Sequence, residues 1–230
     1  MTIQLCELVG RDDRRFSPYC WRTRMALEHK GLAYETVPVR FTDKDVIAFS
    51  GQERVPVIRD GENVISDSWD IAEYLEAQYP DEASLFGGEV GHALARFLNT
   101  WTERVMHAAL IKLVIADILA YVDDADREYF IESRSARLGK PPADVQTRSE
   151  EDLKAFANAV STIEASLGDN EFLSGSAPAY GDYIVFGAFA WARSISDLAL
   201  LKPDDPVHAW RNRMLDLYDG MPRSSVGYDV

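Results

Sequence analysis

Residues 17–31, SPYCWRTRMALEHKG, decide how the first half of the chain folds. Ser17 is a favoured N-cap residue and Pro18 suits the first helical position, so a helix begins at this point. Gly31 supplies the usual residue at a helix C-terminus. The preceding residues 2–8, TIQLCEL, are β-branched and apolar and predict a strand. The sequence therefore predicts a strand that leads through a loop into a helix N-terminus.

The rest of the first eighty residues alternates between strands and helices. Further strands are predicted at residues 34–39, 55–59 and 63–66. Asp60-Gly61, a dipeptide typical of hairpin turns, joins the last two strands. A helix begins at Asp67-Ser68 and ends before Pro80. The order is β-α-β-(α)-β-β-α, which predicts a small mixed sheet flanked by helices.

The second half of the chain has helical patterning throughout. An apolar stripe with alternating spacings of three and four residues predicts one face of a long helix: Leu153, Phe156, Val160, Ile163 and Leu167. Asp205 followed by Pro206 predicts another helix start. This helix is expected to continue through four further residues: Trp210, Met214, Leu217 and Tyr218. We therefore predict an α/β domain over residues 1–80, a linker over 81–89 and an all-α domain over 90–230.

Composition disfavours several classes of function. The chain has 230 residues, 47% of them hydrophobic, which suits a folded protein with a sizeable core. Its formal net charge of −14 disfavours nucleic acid and anionic membrane surfaces as partners, since both require basic patches. Residues 1–8 lack the features of a secretory signal, and Lys112 and Asp117 interrupt the longest apolar stretch. We expect a cytoplasmic protein without a membrane span.

Cysteine and histidine usage argues against further kinds of site. The two cysteines, Cys6 and Cys20, are too few for a disulfide framework and suit a reducing compartment. The four histidines show no metal-ligand spacing, and the sequence has no GxSxG motif for a hydrolase triad. We expect no metal and no hydrolytic triad.

Ser17 is the residue best placed for chemistry. A helix N-terminus offers free N–H groups and a positive dipole end, which favour the thiolate form of a thiol brought there. Lowering a thiol pKa by about two units requires about 2.7 kcal/mol. The dipole supplies about 0.3–1 kcal/mol and a hydrogen bond to a charged group about 1.5–3 kcal/mol, so a donating Ser17 hydroxyl would contribute more. On this segment alone, a purely capping role for Ser17 stays equally open.

Two further segments admit both a binding and a structural interpretation. Pro56, in residues 54–57 (RVPV), interrupts a predicted strand. It indicates either an edge strand or a cis peptide that turns the backbone of Val55 toward a ligand. Asp67 and Ser68 lie where a strand gives way to a helix, and their polar groups suit a ligand that carries an α-amino acid group. Simple capping, worth about 1 kcal/mol, is the structural alternative for this second segment.

The order of these motifs resembles that of the glutathione transferase superfamily, with SPYC at the first helix, VP before the third strand and DS at the last helix of the first domain. In that superfamily a thioredoxin-like domain precedes an all-α domain, and dimers are the rule. The resemblance covers the whole chain, because residues 172–175 (FLSG) and the helix opened by Asp182 match it as well. It implies a homodimer that uses glutathione as its co-substrate.

Carried over residue by residue, the resemblance implies a glutathione site. Ser17 would hydrogen-bond the glutathione sulfur. Arg54 would bind the glycyl carboxylate. Val55, before a cis-Pro56, would bind the cysteinyl unit, and Asp67 with Ser68 would bind the γ-glutamyl end.

The chain departs from the superfamily pattern at two positions. Relatives that exchange disulfides carry a cysteine where Ser17 stands, so we expect no thiol exchange here and predict Cys20 to be a small core residue. The superfamily's capping motif has Ser or Thr three residues before Asp182, where this chain has Ala179. Half of that capping box is missing, and we expect a weaker cap.

A narrower resemblance indicates a class of reaction. Four segments resemble bacterial and fungal etherase-like glutathione transferases, some of which cleave β-aryl ethers of lignin-derived aromatics: residues 17–31, 53–58, 67–75 and 216–220. The electrophile pocket should lie between the domains. Its candidate residues are Tyr19, Trp101, Met106, His107 and Ile111, although apolar residues on long helices belong to a core more often than to a ligand site.

We therefore predict a glutathione transferase in which Ser17 stabilises the thiolate for attack on a hydrophobic, aromatic electrophile. Two alternatives stay open: glutathione-dependent cleavage of a β-aryl ether, and a non-catalytic member that binds glutathione or another ligand. The basic loop 11–15 before Ser17 either attracts the glutathione anion or is a solvated charge run.

Overall fold

A four-stranded mixed sheet forms the centre of the first half in the computed structural model, which describes residues 2–229. Met1 and Val230, the outer ends of the two predicted domains, lie outside the described residues. The strands are β1 (Ile3–Leu8), β2 (Tyr34–Val39), β3 (Val57–Asp60) and β4 (Asn63–Ser66). They lie in the order β2-β1-β3-β4, with β2 parallel to β1 and β3 antiparallel to both of its neighbours. The predicted strands are confirmed, with β3 beginning two residues later than expected.

Two helices flank this sheet: α1 (Pro18–His29) and α2 (Ser68–Gln78). Ser17 is the N-cap of α1, and Gly31, with a φ of 64°, follows its C-terminus. Asp67 is the N-cap of α2. The short helix predicted between β2 and β3 is a 3-10 helix over Lys44–Ser50. The local cap and glycine signals thus placed both helices correctly.

The second half is helical. Its helices are α3 (Glu89–Trp101), α4 (His107–Val114), α5 (Asp124–Leu138), α6 (Pro142–Val145), α7 (Glu150–Leu167), α8 (Tyr180–Ile195) and α9 (Pro206–Ser224). A π-helical segment, Thr102–Met106, joins α3 to α4. The predicted fold class, a thioredoxin-like α/β half followed by an all-α half, is confirmed. The exact domain limits at residues 80 and 90 stay a prediction. No helix within residues 2–229 is long and apolar enough to cross a membrane.

Two details of the helical half differ from the sequence prediction. Leu153 is 45% exposed, because the buried Asp152 takes the inward position in the first turn of α7. The regular part of α9 ends before Leu217, since residues 218–220 have positive φ angles. A left-handed turn therefore replaces the continuous helix expected through Tyr218.

Helix α8 is the element that joins the two halves. It is buried along almost its whole length and packs against α1. Gly187 allows a close approach, because a Cβ at this position would lie 2.6 Å from the carbonyl oxygen of Pro18. One hydrophobic core consequently runs from the sheet through α1 and α8 into the helical half.

The start of α8 shows how the incomplete capping box is supplemented. Ala179 contributes no side-chain cap, as its residue type requires. The fully buried carboxylate of Asp182 accepts from the amides of Ala179 at 3.2 Å, Leu173 at 2.8 Å and Ser174 at 3.2 Å. It also accepts from the indole N–H of Trp210 at 2.9 Å. The remaining half of the box therefore ties α8 to a preceding loop and to α9.

Candidate functional site

The register of the sheet brings three predicted segments together at one end of the sheet, where β1 and β4 end and β3 begins. Cys6 near the end of β1 pairs with Val57 at the start of β3, and Val57 pairs with Ser66 at the end of β4. The chain leaves β1 toward Ser17, enters β3 from Pro56, and leaves β4 into α2. The N-termini of α1 and α2 therefore lie at this same end of the sheet. Their free N–H groups and positive dipole ends suit an anionic ligand.

Ser17 has a hydroxyl that its own helix uses only in part. The oxygen accepts a hydrogen bond from the Cys20 amide at 3.2 Å. Within residues 2–229 no oxygen or nitrogen accepts the hydroxyl proton, and the hydroxyl's other partner is the thiol of Cys20, a weak acceptor. The side chain is 7% exposed, so water competes weakly for that proton. Ser17 is thus a cap that retains the capacity to donate to a ligand.

Cys20, at the third position of α1, is not a reactive group. It is 2% exposed, and burial, reinforced by Glu7, raises the pKa of its thiol to about 12. A thiol with that pKa stays protonated at neutral pH and is a poor nucleophile. This fits the prediction that Cys20 is a small core residue.

The Val55–Pro56 peptide bond is cis, which is the second of the two alternatives that the sequence left open. The edge-strand alternative is wrong, because Pro56 precedes β3, an inner strand between β1 and β4. Pro56 is buried and Val55 is half-buried, whereas Arg54 is exposed just before them.

Asp67 and Ser68 mark the start of α2. The Asp67 carboxylate accepts from the Trp69 amide at 2.8 Å, and the residue is exposed. Its φ of 72° is unusual for a residue other than glycine. Backbone conformations of this kind cluster at functional sites. Ser68 is 2% exposed, and its carbonyl accepts from the Tyr180 hydroxyl at 2.5 Å.

An aromatic cluster that sequence reasoning missed holds the start of α2 in place. The ring centroid of Trp69 lies 5.7 Å from that of Phe86, 5.3 Å from that of His92 and 5.9 Å from that of Tyr180. The cluster combines residues from α2, the connecting segment, α3 and α8. Because its members are far apart in the sequence, no local pattern could have identified it.

Two arginines of the basic loop 11–15 contact other parts of the protein. The Arg14 guanidinium lies 4.0 Å from the ring centroid of Tyr121. Arg15 forms an ion pair at 2.8 Å with Glu7, which is 1% exposed. These two cations are held by the protein itself and are not a solvated charge run. They hold the loop before Ser17 in place, and attraction of the glutathione anion by this loop stays a prediction.

Among the predicted pocket residues, Tyr19 and His107 come together. Their ring centroids are 6.0 Å apart in an edge-to-face arrangement. His107 also meets Trp191 of α8 edge to face at 5.8 Å. Trp191 is 7% exposed and belongs to the hydrophobic core, so no sequence signal distinguished it from its apolar neighbours on α8.

The other three pocket candidates lie closer to the core. Met106 is completely buried and belongs to the hydrophobic core. Trp101 and Ile111 are half-buried and pack against that core. Met106 is therefore a core residue, whereas the outer parts of Trp101 and Ile111 are accessible.

His107 is a neutral group with an unused polar atom. Burial, together with repulsion from Arg22 and Arg137, lowers its pKa to about 3. Within the described residues, neither its Nε2 atom nor the Thr102 hydroxyl has a hydrogen-bond partner, and both are buried. The His107 amide donates to the Thr102 carbonyl in the π-helical segment, a conformation often found at functional sites. These two polar atoms require a water or ligand partner.

A separate cavity has a different character. It has a volume of about 470 Å³ and lies between the β1–α1 loop and the segment after β2. Its charged lining includes Arg11, Asp12, Asp13, Arg40 and Asp123. Such a lining does not suit an aromatic electrophile, and none of the predicted pocket residues contributes to it.

Two family models match most of the chain. Residues 16–78 match the model of the glutathione S-transferase N-terminal domain. Residues 93–200 match the model of the glutathione S-transferase C-terminal domain. The two matches fall on the α/β half and on the helical half, respectively.

Individual proteins show the same likeness. The glutathione S-transferase-like protein ustS of Aspergillus flavus is 29% identical over 140 residues, which are 55% of this chain and 49% of that protein. The match thus spans about half the length of this curated relative.

Solved structures share the fold at low sequence identity. Glutathione transferase GSTFuA3 from Phanerochaete chrysosporium has a TM-score of 0.83 and 24% identity, with 93% of this chain and 96% of that chain covered. CsGST63524 of Ceriporiopsis subvermispora, crystallised in complex with glutathione, has a TM-score of 0.75 and 24% identity over 98% of this chain and 95% of that one.

Proposed function

The chain belongs to the glutathione S-transferase superfamily, and from this premise we propose that it binds glutathione and uses Ser17 to stabilise the glutathione thiolate. The observation that carries the proposal is the N-cap hydroxyl of Ser17. It accepts one hydrogen bond from its own helix, and its proton, which meets only the weakly accepting sulfur of Cys20, can be donated to a ligand. The thiolate then attacks a hydrophobic, aromatic electrophile.

The α1 start favours the thiolate in two ways. A free thiol has a pKa of about 8.5 and is mostly protonated at neutral pH. A hydrogen bond from the Ser17 hydroxyl stabilises the charged sulfur by about 1.5–3 kcal/mol, and the helix dipole adds about 0.3–1 kcal/mol. The thiol proton passes to solvent. The sulfur lone pair forms the new S–C bond, and the leaving group departs with the electrons of the bond that breaks.

Other residues at this end of the sheet support binding of the tripeptide. The exposed Asp67 carboxylate suits the γ-glutamyl ammonium group, and Ser68 with the α2 N-terminus suits the neighbouring carboxylate. Val55, before the cis peptide bond, offers its backbone groups to the cysteinyl unit. The exposed Arg54 is the candidate for the glycyl carboxylate.

The rings of Tyr19, His107 and Trp191 support an aromatic electrophile. Tyr19 is two residues from Ser17, so these rings lie near the proposed position of the sulfur. His107 carries no charge at neutral pH, which makes this part of the protein suitable for an apolar ring. Edge-to-face contacts favour such a ligand further.

The test of the proposal is Ser17→Ala. We expect the fold to be retained, the apparent pKa of bound glutathione to rise, and turnover with an aryl chloride to fall about tenfold or more, because the donated hydrogen bond is lost. Thiolate absorbance against pH and initial rates measure the two effects. Ser17→Thr keeps the hydroxyl and serves as the matched control. Unchanged turnover in Ser17→Ala would show that Ser17 only caps the helix.

A second candidate reaction is glutathione-dependent cleavage of a β-aryl ether. It is supported by the etherase-like segments and by the aromatic rings beside Ser17. In this reaction the thiolate attacks the carbon beside a ketone and expels a phenolate. A fluorogenic β-aryl ether ketone, supplied as each enantiomer with glutathione, tests it. Absence of phenol release from both enantiomers, with aryl chloride turnover intact, would exclude this substrate.

We further propose that the chain is a homodimer. Helix α3 exposes a stripe of apolar side chains at helical spacing: Val90 is 76% exposed, Leu94 59% and Phe97 65%. Val105, 43% exposed, extends the stripe into the π-helical segment. A continuous apolar stripe of this kind is typical of a protein interface, and a second copy of the chain is the occupant that the superfamily resemblance favours.

Phe97→Glu tests the dimer. The introduced charge would lie in the centre of the apolar stripe and should shift the protein from dimer to monomer in analytical ultracentrifugation. Glu89→Gln, a change outside the stripe at the start of the same helix, is the control. A wild-type protein that sediments as a monomer at micromolar concentration would contradict the proposal.

A further inference from the structure

A cluster of cations surrounds a small cavity at the C-terminal end of α8. Arg193, Arg211 and Arg223 line this cavity, which has a volume of about 140 Å³ and lies between α8, α9 and residues 225–229. The chain as a whole carries a net charge of −14, so the cluster is a local reversal of sign. None of these arginines belongs to the proposed glutathione site.

Arg211 has the fewest hydrogen-bond partners of the three arginines. Its side chain is 6% exposed, and its Nε atom is buried without a hydrogen-bond partner within the described residues. Burial lowers the pKa of Arg211, and Arg193 and Arg223 lower it further by repulsion. A buried guanidinium in this condition requires an acceptor, because buried charges in native proteins are paired.

Arg193 is held in a fixed position beside the cavity. Its two terminal nitrogens donate to the carbonyls of Ser225 at 2.9 Å and Arg223 at 3.0 Å. Gly227 packs closely against it, since a Cβ at that position would lie 2.7 Å from Arg193 Nη1. A cation fixed in this way loses little conformational entropy when it binds an anion.

The negative groups nearby leave two of the arginines short of a partner. Asp216 is taken by Arg223, with Nε and Oδ1 2.6 Å apart. Asp229 attracts both Arg193 and Arg211, which raises their pKa values against the effect of burial. It is exposed and forms no ion pair with either of them within the described residues. Two guanidinium charges thus face one solvated carboxylate.

We propose that this cavity binds a compact oxyanion with two negative charges, either inorganic phosphate or a phosphate monoester, held by Arg193 and Arg211. The planar fork of a guanidinium matches phosphate oxygens, and a dianion balances two such groups. Pockets for drug-sized ligands measure about 300–1,000 Å³, so this cavity admits one oxyanion group and excludes a tripeptide such as glutathione. Asp229 then acts as an internal competitor for the site.

Calorimetric titration of the full chain with sodium phosphate, without glutathione and at ionic strength fixed with sodium chloride, tests the proposal. We expect saturable binding of one phosphate per chain. Arg211→Gln should weaken it about tenfold or more, since a charge-assisted hydrogen bond is lost. Lys140→Gln removes the same charge from an exposed position elsewhere and should leave it unchanged. A parallel titration with glycerol phosphate distinguishes the two sources, because only a monoester site binds it as tightly as inorganic phosphate.

Asp229→Asn gives a result of the opposite sign. Removal of the competing carboxylate should strengthen phosphate binding several-fold, and because the side chain is exposed the variant should fold even if Arg211→Gln does not. Absence of saturable heat in the wild type would overturn the proposal. So would equal losses in Arg211→Gln and Lys140→Gln, which would reveal a general charge effect.

Discussion

Helices α1 and α8 each begin with only half of a capping box. Helix α1 has the N-cap hydroxyl without the acid, and α8 has the acid without the N-cap hydroxyl. Helix α1 has the hydroxyl of Ser17, but a buried cysteine occupies its third position in place of an acid. Helix α8 has the carboxylate of Asp182, but alanine occupies the N-cap. In both cases the group that remains is free to serve a partner outside its own helix.

Helix α7 shows what a complete box looks like in the same molecule. The Ser149 hydroxyl accepts from the Asp152 amide at 3.1 Å and donates to the Asp152 carboxylate at 2.7 Å. Its proton is therefore consumed within α7. The comparison teaches that Ser17 has no carboxylate at the third position of its helix to take its proton, whereas Ser149 has one. Asp182 in turn binds Trp210, a partner outside its own helix.

Asp182→Ala should have the largest effect, on stability. It leaves four N–H donors without their acceptor, three of them amides and one the indole of Trp210. We expect the free energy of unfolding to fall by about 3 kcal/mol or more, as measured by urea denaturation. Asp182→Asn keeps one carbonyl oxygen and should lose less. Equal losses in the two variants would mean that the contacts of the oxygen that asparagine retains contribute little.

Ser149→Ala should have a smaller effect and separates capping from chemistry. The variant should lose about 1 kcal/mol of stability, because one end of α7 loses its cap, and its turnover with glutathione should match the wild type. Ser17→Ala should show the reverse pattern, with turnover lost and the fold retained. If both variants lost turnover to the same extent, the role of Ser17 would reduce to helix stability.

Ala179→Ser should have the smallest effect, and it would be stabilising. The N-cap backbone is already extended, with φ −139° and ψ −175°, so a serine hydroxyl can complete the box of α8. We expect a gain of about 0.5–1 kcal/mol in the free energy of unfolding. No gain in urea denaturation would show that the contacts of Asp182 already satisfy this helix start.

Much of the first half could be predicted from the sequence because its signals are local. Ser17 with Pro18, the turn at Asp60-Gly61 and the glycine at position 31 each act over a few residues, and the structure confirms all three. The same local signals nominated Asp67 as the start of α2, which is also confirmed.

The parts that could not be predicted depend on contacts between distant segments. Trp191 meets His107 only because α8 packs beside α4, and Tyr180 reaches Ser68 across more than one hundred residues. Leu153 is exposed because Asp152, which pairs with Lys112 of α4, occupies the buried face of α7 in its place. Helical periodicity alone contains no information about such long-range contacts.

Gly187 sets a limit for anyone who engineers new substrates into this protein. Any side chain at that position would collide with the Pro18 carbonyl and push aside the backbone on which Ser17 depends. A saturation library for altered selectivity should therefore leave residue 187 invariant. Its diversity belongs on the half-buried rings of Tyr19 and Trp101 instead, where a change in shape would reach the proposed substrate site without moving the helix that we propose stabilises the thiolate.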